Sequence, residues 1–264
     1  MKEIEKPAYI KDGDYVKGGL WFCGKCHNAK QKTLNMLGKE YTVRIDCECE
    51  RKQHEAETKA EAERERRQRI DHLRAQGIKD PELARRSFLN STQSEGLLKC
   101  KRYVDSWPEM KKENIGLLLW GDTGNGKTHA AACIANALIE QEVPVMMTSF
   151  PRILQGGFNK SDLLAEMQHY QMIVIDDFGA ERQSEYSLET VYLIIDELYK
   201  AKKPLIITTN LDLEYDFRRA PDVGHQRIYD RILEMCVPLL FTGENIRQKR
   251  AFEKLKKAKE LLDI

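Results

Sequence analysis

The stretch "GDTGNGKT", residues 121–128, decides the fold. It fits the spacing G-x-x-x-x-G-K-[ST] and lies between an apolar run, Ile115 to Trp120, and an alanine-rich helical segment, Lys127 to Gln141. Glycines in this pattern let backbone N–H groups turn inward around phosphates, at the positive end of the following helix. Gly121, Asp122, Thr123, Gly124, Asn125 and Gly126 would form the cradle. Lys127 would reach the β- and γ-phosphates of ATP, and Thr128 would ligate Mg2+. The alternative is a glycine turn that caps an ordinary helix.

Downstream, "MIVIDDFG", residues 172–179, is an apolar strand that delivers two carboxylates to the edge of a sheet. Adjacent carboxylates repel unless a cation or separate tasks keep them apart. Asp176 sits at the Walker B position, as a direct or outer Mg2+ carboxylate. Asp177 is then left to orient or activate water, or else to cap the following turn. "IITTN" ends another strand at Asn210, whose amide would position the attacking water; Asn is also an ordinary turn residue there.

Further strands are expected at Val143 to Thr148, Leu205 to Thr209 and Val237 to Phe241. Helices are expected over Gln226 to Met235 and Ile246 to Leu262. Ser187 is a candidate cap for a helix carrying Leu188, Val191, Tyr192, Ile195 and Leu198 at helical spacing. This alternation makes an α/β domain with a parallel sheet. A "GGFN" break interrupts the helical patch after the second strand. Residues 50–76 are almost wholly charged or strongly helix-forming, without Gly or Pro until Gly77. With almost no apolar face, this segment is expected to be a solvated spacer helix. Three regions follow: 1–50, a linker over 51–80, and 81–264.

Seven cysteines without a secretory segment point away from a disulfide framework. Cys23, Cys26, Cys47 and Cys49 space as C-x2-C-x20-C-x-C. Two tight knuckles of this kind can close a tetrahedral Zn2+ site, and in so small a segment the metal would supply much of the folding energy. His27 and His54 are possible substitute ligands for that site; the alternative is four free thiols in a loose segment. Cys100, Cys133 and Cys236 read as small buried residues.

A 41% hydrophobic content supports a core, and a net charge of +1 names no nucleic-acid or membrane partner globally. No apolar run reaches membrane-spanning length, so a cytoplasmic protein is expected.

"LLLWGDTGNGKTHAA", "MIVIDDFGAE", "IITTN", "RIYDRILE" and "GENIRQKRA" together resemble AAA+ ATPases of the bacterial and phage DnaC/DnaI helicase-loader type, with the IstB-like helper ATPases as cousins. The resemblance runs from about Phe88 to the C-terminus. It implies a three-layer P-loop fold with a minimal C-terminal lid, and Asn210 as sensor 1. It places Arg231 as the arginine finger that reaches a neighbouring subunit, Arg227 as a second basic position, and Arg247 as sensor 2. Arg231 otherwise reads as a surface arginine paired with Asp230 or Glu234. The resemblance also implies a helical insert over Phe150 to Tyr170, and Ser184 with Tyr186 as a DNA-contacting pair. The bland alternative is a turn cap for Ser184 and a packed ring for Tyr186.

Some loaders of this type carry a zinc-binding N-terminal domain that docks on the replicative DnaB-type hexameric helicase. The implied function is an ATP-dependent loader that binds helicase, single-stranded DNA and its own neighbours. The alternatives are a transposition helper ATPase and a nucleotide-gated adaptor without turnover. AAA+ motors most often carry Glu where this chain has Asp177. The shorter side chain implies slow, partner-dependent hydrolysis.

Overall fold

The computed structural model describes residues 7–91, 94–155, 160–180, 184–243 and 245–262, the side chains of Lys160, Lys249 and Arg250 excepted. The expected "GGFN" break, residues 156–159, lies outside the described residues. The chain divides into two compact units, Met1–Gln68 and Arg69–Ile264.

In the first unit, Tyr15–Lys17 (β1) pairs antiparallel with Leu20–Phe22 (β2), and Gln31–Met36 (β3) with Lys39–Arg44 (β4). Two-stranded sheets cannot enclose a core. Its buried residues are accordingly few, and one of them is Lys30. The Lys30 ammonium binds Asp14 at 2.8 Å, Glu50 at 3.0 Å and the Tyr9 carbonyl at 3.2 Å. Burial works against the charge on Asp14, but the Lys30 hydrogen bond and the N–H groups of Gly24 and Lys11 outweigh it and hold the carboxyl at about 2. Lys30 is displaced upward in turn: burial opposes its charge, and Asp14 and Glu50 overcome that.

The charged stretch forms one helix, Glu48–Gly77 (α1), as its composition dictates. Most of it is exposed, with supporting pairs such as Glu48–Lys52 at 2.7 Å. One expectation needs correction. Ile70 is buried in the core of the second unit, with Leu73 packed against that core, so the last turns are structural and not merely solvated. Two apolar residues at i, i+3 suffice for a short seam.

The second unit continues through Glu95–Asp105 (α2), Trp107–Lys112 (α3), Gly116–Trp120 (β5), Lys127–Glu140 (α4), Val145–Ser149 (β6), Phe150–Gln155 (α5), Lys160–Gln168 (α6) and Met172–Phe178 (β7). It ends with Glu185–Lys200 (α7), Leu205–Thr209 (β8), Val223–Met235 (α8), Cys236–Leu240 (β9) and Ile246–Leu262 (α9). The strands form one parallel sheet in the order β6-β7-β8-β5-β9. Strands apolar on both faces must lie between two helical layers. Leu117 and Leu119 of β5 face the core built on α2 and α4, whereas Leu118 faces the core of α5 to α8. Cys100, Cys133 and Cys236 are buried. Ser184, not Ser187, caps α7: its hydroxyl accepts from the Ser187 N–H at 3.1 Å, and Ser187 lies buried inside the first turn. After β9 the described residues contain a single helix.

Candidate nucleotide and metal sites

β5 lies where the strand order reverses, with β8 on one side and β9 on the other. Parallel strands place their C-terminal ends on one edge, the edge at which such sheets bind ligands. Gly121 follows β5 there, Asp176 and Asp177 end β7, and Asn210, exposed, follows β8.

The loop from Gly121 to Gly126 has its three glycines at positive φ, 125°, 90° and 89°. At Gly124 a β-carbon would meet the Asn245 side chain at 2.1 Å, so only glycine fits. Asn245 clamps this loop. Its amide donates to the Thr123 carbonyl at 3.0 Å, its oxygen caps α9 by accepting from Gln248 N–H, and Ile246 N–H donates to Gly124 O at 3.1 Å. Asn125 donates to the Phe241 carbonyl at 3.1 Å. Lys127 is buried, and its ammonium donates to the carbonyls of Gly121 (2.7 Å) and Asp122 (2.8 Å).

Thr208 organises the two aspartates. Its hydroxyl donates to Asp176 Oδ1 at 2.6 Å and accepts from the Asp177 N–H at 2.9 Å. Thr128, in the first turn of α4, also favours the charged form of Asp176. The sequence reading missed Thr208 and Asn245; the only available signals were the doubled Thr in "IITTN" and an Asn placed to cap the last helix. Asp177 adopts φ 53°, beside a register shift between Ile175 and Phe178. Such a bulge re-aims a side chain, and aspartate is among the few non-glycine residues that tolerate left-handed backbone.

Burial raises the Asp176 pKa, reinforced by Asp177 and opposed by Thr208, Thr128 and the charge of Arg247. Burial lowers the Lys127 pKa, opposed by Asp177, Asp122 and Asp176. Arg247, at the start of α9, is thus felt at both groups. A carboxylate and a hydroxyl converging beside a lysine form an all-oxygen donor set that fits Mg2+.

Arg231 lies apart from this cluster. It binds Asp196 of α7 at 2.6 Å, not Asp230 or Glu234, with its guanidinium over the Tyr192 ring at 4.7 Å and that of Tyr199 at 5.9 Å. Its Nη1 is buried and has no hydrogen-bond partner among the described residues. Arg227, four residues earlier, is exposed. Phe150 and Ile153 of α5, Leu163 and Met167 of α6, and Tyr170 after it enter the core. Ser184 is engaged as the α7 cap, and Tyr186 is 56% exposed.

In the first unit, the sulfur atoms of Cys23, Cys26, Cys47 and Cys49 all lie within 4.8 Å of one another. Tetrahedral Zn–S bonds of about 2.3 Å require sulfurs about 3.8 Å apart, so the group fits zinc. Backbone N–H groups of Asn28 and Cys49 bring Cys26 down to about 6, whereas burial pushes Cys47 up to about 12. Cys49, in the first turn of α1, is pushed upward by its neighbour Cys26 and by burial. His27 instead meets the Tyr15 hydroxyl and His54 that of Thr58, both at 3.3 Å.

No helix among the described residues is long and apolar enough to cross a membrane. Residues 50–254 match the family described as IstB-like ATP binding protein. The replicative helicase loader DnaC of Escherichia coli (strain K12) is 26% identical over 166 residues, 60% of this chain and 65% of that protein. The phage-like element PBSX protein XkdC of Bacillus subtilis (strain 168) is 30% identical over 149 residues, 52% of this chain and 53% of its own. The replicative helicase loader DnaI of the same organism is 26% identical over 160 residues, 55% and 51% respectively. The chain therefore spans between half and two thirds of each of these relatives. A crystal structure of DnaI aligns with TM-score 0.53 at 23% identity, over 63% of this chain and 93% of that one, which shows a common fold.

Proposed function

Since the chain belongs to the IstB-like ATP-binding protein family, we propose that it is a cytoplasmic, ATP-controlled loader of a replicative hexameric helicase. The observation that carries this reading is the combination, in one chain, of the Lys127–Thr128–Asp176 cluster with a separate four-cysteine unit. The likeness to proteins named as replicative helicase loaders supports it.

Lys127 would exchange the Gly121 and Asp122 carbonyls for phosphate oxygens of ATP, while the N–H groups of residues 121–126 enclose them. Thr128 and Asp176 would hold Mg2+, which neutralises phosphate charge when bound. Asp177 orients or deprotonates the attacking water, with Asn210 beside it and Arg247 facing the phosphates. The aspartate reaches less far than a glutamate, so turnover is slow. Arg231 serves a neighbouring subunit, and it must first leave Asp196, so hydrolysis waits for assembly. Tyr186 offers a ring for stacking on single-stranded DNA, with Ser184 holding its turn. Zinc on the four cysteines fixes the first unit as a docking module for the helicase.

The family match, described as IstB-like, motivates a second reading, an IstB-like transposition helper. Capture of the purified host helicase by this chain, compared with ATP, ADP and no nucleotide, separates the two: failure in all three conditions favours the helper. ATP hydrolysis measured with and without single-stranded DNA tests the enzyme. No turnover in either condition leaves a nucleotide-gated adaptor.

A further inference from the structure

The hairpin of β3 and β4 has two chemically opposite faces. Directly paired residues share a face, and successive residues alternate. One face carries Lys32 with Val43, Leu34 with Tyr41, and Met36 with Lys39; the other carries Gln31 with Arg44, Thr33 with Thr42, and Asn35 with Glu40. The unit anchors the polar face. Gln31 accepts from Trp21 N–H at 3.0 Å and donates to the Tyr9 hydroxyl at 2.7 Å, and Arg44 lies over the Tyr9 ring at 5.0 Å. On the apolar face Met36 is 59% exposed and Tyr41 49%.

The turn makes the exposure harder to account for internally. Leu37 and Gly38 form its two central residues, with φ 53° and 78°, a geometry that favours Asn-Gly. A leucine there is strained, and Leu37 is fully exposed, so no contact with the described residues compensates it. An observed outlier of this kind points outward, to a partner.

We propose that the Leu34–Met36–Leu37–Tyr41–Val43 face is the surface by which the first unit grips a protein, and that it fits an apolar cleft bordered by carboxylates. The charges choose the occupant. Lys32 and Lys39 stand at the two ends of the apolar stripe. A second copy laid face to face on this hairpin would gather four lysines around one apolar contact, whereas acidic rims complement them. The centre is aliphatic apart from Tyr41, which suits an apolar pocket better than stacked bases. The hairpin lies outside the family match at residues 50–254. The inference rests on the loader reading, in which the partner is the replicative helicase.

The test uses the full zinc-loaded chain and the purified host helicase hexamer in equilibrium binding. Leu37→Asn relieves the turn, so it should leave zinc content and unfolding midpoint unchanged or improved while weakening binding at least tenfold. Met36→Ser with Tyr41→Ser should do likewise, Lys32→Glu with Lys39→Glu should weaken binding and its salt dependence, and Asn35→Ser with Thr42→Ser should change nothing. Tight binding by wild type that survives the apolar-face substitutions overturns the inference and leaves the loader reading intact. No binding by wild type overturns both. Parallel titrations with anionic phosphatidylglycerol vesicles and oligo-dT complete the design. Loss of either of these in the apolar variants, with helicase binding retained, assigns the face elsewhere and overturns the proposal.

Discussion

Arg231 of α8 is ion-paired with Asp196 of α7 at 2.6 Å, within its own subunit. Asp196 also holds Lys200 at 2.7 Å, so it keeps a cation when Arg231 is removed or leaves. If Arg231 completes a neighbour's site, Arg231→Ala should lower hydrolysis about a thousandfold without unfolding the protein. Asp196→Asn should release the arginine and lower the protein concentration at which hydrolysis per subunit is half-maximal. ATPase rates across a protein dilution series measure both. A rise in that concentration for Asp196→Asn would show that Asp196 aims the arginine instead of restraining it.

Asp177 at φ 53° predicts a clean separation of stability from activity. Asparagine tolerates the same backbone, so Asp177→Asn should unfold within about 0.5 kcal/mol of wild type yet lose about a hundredfold or more in hydrolysis. Asp177→Glu should raise the rate. An unaltered or lower rate in that variant would show that reach toward water is not limiting.

Asn245 ties the last helix to the phosphate-binding loop through Thr123 O. Loss of this hydrogen bond is worth about 1 kcal/mol and loss of the α9 cap about as much, so Asn245→Ala should raise the ATP dissociation constant several-fold and lower the melting temperature by about 2–4 °C. Gly124→Ala places a β-carbon in that same clamp at a left-handed position, and should abolish nucleotide binding. Calorimetric titration with ATP distinguishes the two outcomes.

The first unit is held at its centre by charge. Lys30→Met leaves Asp14 without its cation and Glu50 with Lys11 at 4.0 Å, and should cost about 3–5 kcal/mol, read as lost hydrogen-exchange protection over residues 7–50. Asp14 carries a folded pKa of about 2, below its ordinary 3.8. Its stabilising effect is therefore complete above about pH 4 and is lost as the pH falls toward 2. The protection difference between wild type and Asp14→Asn should fall across that window and stay flat above it. Thiolate protonation is common to both proteins and cancels in the comparison.

The second unit was largely legible in the sequence, because its strands are apolar on both faces and its phosphate loop has a fixed spacing. Leu205–Thr209 and Ile246–Leu262 end where the pattern ends. The first unit was not, because short hairpins around an ionic centre leave no hydrophobic period: β3 and β4 have six residues each, and the apolar ones on each strand number two, one of them exposed. The four cysteines were legible from spacing alone. Thr208 and Asn245 were not, since a hydroxyl that serves two aspartates and an amide that bridges residues 123 and 245 depend on contacts that only the folded sheet creates. The Arg231–Asp196 pair eluded the sequence for the same reason, because its partner lies 35 positions away on another helix.

The central claim is that ATP at the Lys127 site controls delivery of a helicase to DNA. The direct measurement is the amount of purified host helicase transferred onto single-stranded DNA coated with single-strand-binding protein, with wild type and with Lys127→Ala. The account predicts ATP-dependent transfer by wild type and failure by the variant, although both proteins bind the helicase. Transfer that is absent with wild type, or equal for the two proteins, would contradict it.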